Sequence, residues 1–231
     1  VTTICICAFY QRTSLKTGSI PDSVASTGNQ AFQGCSAITT LVINTPLVGS
    51  TANGFVSTYF TDSKSKIEDV TIGDSVSSIG ISSFEGCTAL QSLSLGRGIT
   101  SIGTKAFAEC AAIATLVLNN PIPTKFTAPV GTSGRREIGF VESHLLASRG
   151  AIREVIIGDS VTGIGLSAFW LCIRLEMVNI SSSVVNIGNN AFNGCGSLKT
   201  LSIPSSVSII GAAAFLSCSS LRSVSIPDGS V

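Results

Sequence analysis

The chain has 231 residues, of which 44% are apolar, 12% charged and 6% aromatic, with 14 basic residues against 13 acidic ones and a single histidine. A charged fraction about half the ~25% of ordinary soluble domains and a net charge of +1 argue against a nucleic-acid binder. One histidine leaves too few parts for a multi-histidine metal centre or most acid–base networks, so no catalytic, cofactor-binding or metal-binding residue is assigned and no enzyme is expected.

A phenylalanine followed three residues later by a cysteine recurs at Phe32/Cys35, Phe84/Cys87, Phe107/Cys110, Phe169/Cys172, Phe192/Cys195 and Phe215/Cys218, in steps of 52, 23, 62, 23 and 23. A period in this range is the signature of a solenoid. Taken in chain order, residues 1–14 carry the back of one unit, with Val1, Ile4, Ala8 and Phe9 on the pattern. Complete repeats follow at 15–37, 67–89, 90–112, 152–174, 175–197 and 198–220. The units at 38–66 and 113–151 open like the others and then diverge into insertions, and 221–231 is the front of a last unit. Residues 1–231 therefore read as a single solenoid domain that starts and stops in mid-repeat. We expect a fragment of a longer array, or open ends covered by partner subunits.

Within a repeat, L-x-x-L-x-I alternates as a short strand does, so Leu201 and Ile203 face inward while Thr200 and Ser202 face out. A Pro or Gly then turns the corner: Pro21, Gly73, Gly96, Gly158, Pro204 and Pro227. A second extended piece ends on a glycine that recurs at 28, 80, 103, 165, 188 and 211, where either a positive φ or a close approach between coils is needed. The x-x-A-F-x-x-C stretch that follows reads as one helical or 3-10 turn. A lone repeat buries too little to hold itself in shape, so stability comes from stacking on its neighbours.

The full pattern, nearly verbatim in residues 198–218, resembles the BspA-like (Treponema-type) leucine-rich-repeat family. That resemblance implies a leucine-rich-repeat solenoid: mainly β, right-handed, with a parallel sheet, 23-residue repeats and short helical turns. It also associates the chain with surface-exposed adhesion proteins that bind host glycoproteins or other cells.

Six of the eight cysteines share one repeat position and read as a reduced core ladder. Successive rungs stand about 4.8 Å apart, wide for the ~3.8 Å Cβ separation of a disulfide. Cys5 and Cys7 form C-x-C, with Cys5 on the glycine position. Glu142, Ser143 and His144 hold the residue types of a hydrolase triad, but neighbours in sequence point apart instead of converging. Asn179-Ile180-Ser181 is a glycosylation sequon on an outward position.

The outward sheet positions are mostly Ser and Thr: Thr17/Ser19, Ser92/Ser94, Thr200/Ser202 and Ser223/Ser225. Thr115/Val117, Glu154/Ile156 and Met177/Asn179 break the rule and are expected to set Val117, Ile156 and Met177 side by side as an apolar contact strip. The competing expectation is that the insertion at 119–151 folds over this strip. The insertions at 44–66 and 119–151 hold Lys64, Lys66, Lys125, Arg135, Arg136 and Arg149 against Asp62, Glu137 and Glu142, a net +3 where the rest of the chain is −2, a bias that suits an acidic partner.

The expected function is a non-enzymatic protein-binding or adhesion module, extracellular or at the cell surface, without cofactor or membrane insertion, whose partner is a protein or glycoprotein. The alternative is a scaffold or spacer subunit of a larger assembly, extracellular or inside the cell.

Overall fold

A computed structural model describes residues 1–49, 54–120, 126–127 and 137–226. The chain divides into two compact units, Val1–Ile113 and Ala114–Val231. Each is a parallel-sheet solenoid with one turn per repeat. In the first, strands Thr17–Ile20, Thr40–Ile43, Asp69–Ile72 and Ser92–Leu95 pair in parallel and in repeat register. In the second, Glu154–Ile157 lies between Thr115–Leu118 and Met177–Ile180, and Thr200–Ser202 pairs with Ser223–Ser225.

The alternation that makes these segments strands also fills the core. Leu41, Ile43, Val70, Ile72, Leu93 and Leu95 in the first unit, and Leu116, Leu118, Val155 and Ile157 in the second, are buried. A second row of two-residue strands closes each coil. Thr3–Ile4 pairs with Ser26–Thr27 and Ser78–Ile79 with Ser101–Ile102, while Asn186–Ile187 lies between Gly163–Ile164 and Ile209–Ile210.

The recurring glycine is a close-approach position and not a positive-φ one. A Cβ on Gly103 would lie 2.6 Å from the Ile81 nitrogen and 2.7 Å from the Gly80 carbonyl carbon, and one on Gly188 would lie 2.8 Å from the Gly165 carbonyl carbon. The left-handed residues come two and six positions later: Gln30 and Gly34, Lys105 and Glu109, Asn190 and Gly194, Ala213 and Ser217. Of the expected helical or 3-10 turn, the structure keeps the i→i+3 bonding but forms no continuous helix. In the regular repeats x-x-A-F-x-x-C is a chain of i→i+3 turns, Gly28 to Ala31, Gln30 to Gln33 and Phe32 to Cys35, and the two left-handed residues prevent it from continuing as a helix. Left-handed conformations that are unfavourable in isolation are held by bonds between coils. Phe9 N donates to Ala31 O at 2.8 Å and Gln11 N to Gln33 O at 2.7 Å.

Inside this turn the phenylalanines stack. Ring centroids are 5.1 Å apart for Phe9 and Phe32, 5.3 Å for Phe84 and Phe107, 5.1 Å for Phe169 and Phe192, and 5.4 Å for Phe192 and Phe215. The cysteine thiols beside them donate to the backbone one coil back: Cys35 to Phe9 O, Cys110 to Phe84 O, Cys195 to Phe169 O and Cys218 to Phe192 O.

Helices belong to the two divergent units. Helix α1 is Phe55–Tyr59 and α2 is Phe140–His144, each followed by a 3-10 turn, Thr61–Lys66 and Leu146–Ser148. The two insertions share one variant motif, Gly-Phe-Val-x-[Ser/Thr]-x-[Phe/Leu]-x-x-Ser-[Lys/Arg], at 54–64 and 139–149. Thr58 and Ser143 each bond the carbonyl four residues back, and Phe60 N and Leu145 N donate to Val56 O and Val141 O at 2.8 Å. Phe60 stacks on Phe32 at 4.7 Å, taking the ladder position, and Ser63 takes the cysteine position, its hydroxyl donating to Cys35 O. The longer insertion adds an antiparallel pair, Phe126–Thr127 with Glu137–Ile138.

Candidate interaction surface

The sheet face of the second unit carries the apolar exceptions. Val117 and Ile156 are direct cross-strand partners, both half-buried. Met177 is one row off: it pairs with Glu154, while Asn179 stands opposite Ile156. The expected side-by-side strip is thus corrected to a Val117–Ile156 pair with Met177 diagonal to it, because Met177 is the third residue of its repeat and Ile156 the fifth. Met177 is 57% exposed.

Charges border this patch. Arg153 and Lys199 each place a nitrogen 2.8 Å from a different oxygen of Glu176, on the residues just before the strands. Bonds from Lys199 and Arg153 hold the Glu176 carboxyl below its ordinary pKa. This three-residue bridge went unnoticed in the sequence, although its members recur at 153, 176 and 199, one repeat apart.

The insertion cations among the described residues have contacts within their own chain. Lys64 donates to Ser57 Oγ at 3.2 Å, Lys66 to Ser36 O at 2.7 Å, and the Arg149 guanidinium lies 5.7 Å from the Trp170 ring centroid. Lys125, Arg135 and Arg136 lie outside the described residues.

Asn179 is exposed on its strand, and Ser181, two residues on, donates its hydroxyl to Asp159 Oδ1. Cys5 and Cys7 are exposed, whereas Cys35, Cys87, Cys110, Cys172 and Cys195 are buried. Burial pushes the Cys172 thiol up to about 12, and Cys87, with its bond to Cys110 and its burial, is also raised. Raised in this way, Cys87 and Cys172 stay protonated at neutral pH.

Glu142, Ser143 and His144 all fall on α2, and no triad forms from them: the Ser143 hydroxyl donates to Gly139 O at 2.8 Å, which is a helix bond. The His144 ring packs against Phe140, with centroids 5.6 Å apart, and burial lowers its pKa to about 4. The folded state thus refuses a proton that the unfolded chain accepts below about 6.5. The contribution of His144 to the stability of the second unit is therefore fully present above pH 6.5 and falls as the pH drops from there towards 4. Melting curves across this range should show the loss, and His144→Gln should flatten it; equal acid sensitivity in the variant would place the effect elsewhere.

Coils of 23 residues, one parallel strand per coil and a ladder of inward leucines define a leucine-rich-repeat solenoid, a fold that generally serves as a non-enzymatic binding scaffold. The chain belongs to the BspA-type leucine-rich-repeat family, whose model, a BspA type leucine rich repeat region, matches in six copies across residues 1–62, 55–127 and 141–231. Comparison with curated proteins gives no match. A leucine-rich-repeat protein of Treponema pallidum is 22% identical, over 89% of this chain and 78% of its own, with a TM-score of 0.48. A leucine rich cell surface protein of Faecalibacterium prausnitzii is 23% identical, over 100% of this chain and 78% of its own, with a TM-score of 0.33. The pneumococcal vaccine antigen PcpA is 15% identical, over 97% of this chain and 67% of its own, with a TM-score of 0.34. Among the described residues no helix is long and apolar enough to cross a membrane.

Proposed function

We propose that the chain is a surface-exposed adhesion module that docks a protein or glycoprotein partner on the outward sheet face around Val117, Ile156 and Met177. The observation that carries this is a local change of chemistry. In the first unit the outward rows are Thr17, Thr40, Asp69, Ser92 and Ser19, Val42, Thr71, Ser94, polar but for Val42. In the second, an apolar pair and an exposed methionine stand beside the Arg153–Glu176–Lys199 bridge. An apolar centre with a charged rim is the usual anatomy of a protein interface. In this proposal residues 1–231 form one array, since the repeat register runs from 90–112 into 113–118 with no inserted residue.

The test compares the chain with Ile156→Asp for binding to intact cells and to immobilised extracellular glycoproteins. Binding should drop at least about tenfold while the melting temperature holds, because the Ile156 side chain is not part of the core. Undiminished binding would move the contact off this face, and global unfolding would make Ile156 internal.

A further inference from the structure

Beside α1 lies a cleft of about 220 Å³ lined by Gln30, Gln33, Thr58, Tyr59, Thr61 and Asp62. It is smaller than the ~300–1,000 Å³ of pockets for drug-sized ligands, which suits a single ring. We propose that it binds one neutral sugar unit of a glycan.

The wall is built before any ligand arrives. Gly34, in the left-handed conformation, donates its N–H to Asp62 Oδ2 at 2.8 Å, tying the 3-10 turn to the preceding coil. Thr58 and Thr61 give their hydroxyl hydrogens to Gly54 O and Ser57 O, both at 2.7 Å, so each turns oxygen lone pairs outward as acceptors. The Tyr59 ring is braced by Phe55, with centroids 5.4 Å apart. Two glutamine amides then supply donors, and Asp62 Oδ1, the threonine oxygens and the glutamine carbonyls supply acceptors. Each sugar hydroxyl both donates and accepts, and so finds a partner of either kind here. Tyr59 adds an aromatic surface with a polar tip.

Charge selects the class further. The one charged group in the lining is a carboxylate, and the nearby Lys64 and Lys66 are already bonded to Ser57 and Ser36, so a phosphate or an acidic sugar would meet repulsion with no cation in the lining to offset it. The lining is not a demand of the fold, because the second copy of the variant motif, on the same scaffold, replaces Tyr59, Thr61 and Asp62 by His144, Leu146 and Ala147. This inference is independent of the sheet-face proposal.

The test titrates the intact chain with the methyl glycosides of glucose, galactose, mannose and N-acetylglucosamine, following amide shifts by NMR. At least one should bind in the millimolar range and move the Gly34, Thr58 and Asp62 amides. Tyr59→Ala and Gln33→Ala should each weaken it about fivefold or more, and Ile156→Asp should leave it unchanged. Gln33 is exposed, so its variant reads the site even if Tyr59→Ala folds poorly. No shift up to the solubility limit, or shifts indifferent to both variants, would overturn the assignment. So would stronger binding of N-acetylarginine amide, since Asp62 would then be a receptor for a basic peptide.

Discussion

Gly103→Val should cost the first unit about 3 kcal/mol or more, seen as a lower urea midpoint and as loss of amide-exchange protection across residues 67–112. The substituted Cβ meets the Ile81 nitrogen at 2.6 Å and the Gly80 carbonyl carbon at 2.7 Å, atoms of a neighbouring main chain that have no rotamer to move into. Relief requires the coils to part, which breaks the Gly103 N to Ile79 O bond of 2.7 Å and the pairing of Ser101 and Ile102 with Ser78 and Ile79. Gly150→Ala, in the second unit, is the control for adding a Cβ where there is room for it. Nothing lies within 4 Å of its added carbon, so the change should stay within about 0.5 kcal/mol. Equal effects from the two substitutions would mean that the glycine row serves chain flexibility and not coil spacing.

The same row illustrates what the sequence could and could not disclose. A glycine recurring every 23 residues marks a constraint but not its kind, because a positive φ and a close approach both select for a missing Cβ. Only the coil-to-coil distances separate them. The left-handed positions were hidden for the opposite reason. Gln30, Lys105, Asn190 and Ala213 share no residue type, since lateral hydrogen bonds enforce the backbone whatever the side chain.

Strands and inward leucines were legible throughout because an alternating pattern repeated so often admits few other folds. The strip was legible in composition and off in register by one row, an error that strand numbering alone could have caught: Ile156 and Met177 differ by 21 residues, not 23. A short helix or loop is the natural reading of 137–149, and α2 falls within it, but the motif that the two insertions share shows only against its own second copy and not against the regular repeat. Laid against each other, 54–64 and 139–149 give the motif, with Ser63 and Ser148 on the cysteine position. The cleft had no linear signal at all. Gln30 and Gln33 belong to one coil and Tyr59 and Asp62 to the next, and stacking alone makes them neighbours.

Stacking also fixes where the second unit is most vulnerable. Phe192→Ala should destabilise it by about 3–5 kcal/mol, whereas Phe215→Ala should cost about half as much. Phe192 is fully buried, with Phe169 at 5.1 Å on one side and Phe215 at 5.4 Å on the other, its ring nearly parallel to both. Its removal leaves a cavity with rigid walls: Phe169 N and Phe192 N are fixed by bonds of 2.8 Å to Ala191 O and Ala214 O, so the coils cannot close over the gap. Phe215 is only partly buried, and among the described residues it takes part in one Phe–Phe stack. Each lost stack adds about 0.5–1.5 kcal/mol to the burial deficit. In a linear array this damage is not averaged over the molecule, because each coil draws its stability from the coils next to it. Exchange protection in Phe192→Ala should therefore fail first at residues 175–220 and only later at 152–174. Chemical denaturation of the two variants, read together with exchange, decides the matter. Equal costs for Phe192 and Phe215, or a single transition that melts every coil at once, would show that the ladder is not the nearest-neighbour coupling it is taken to be.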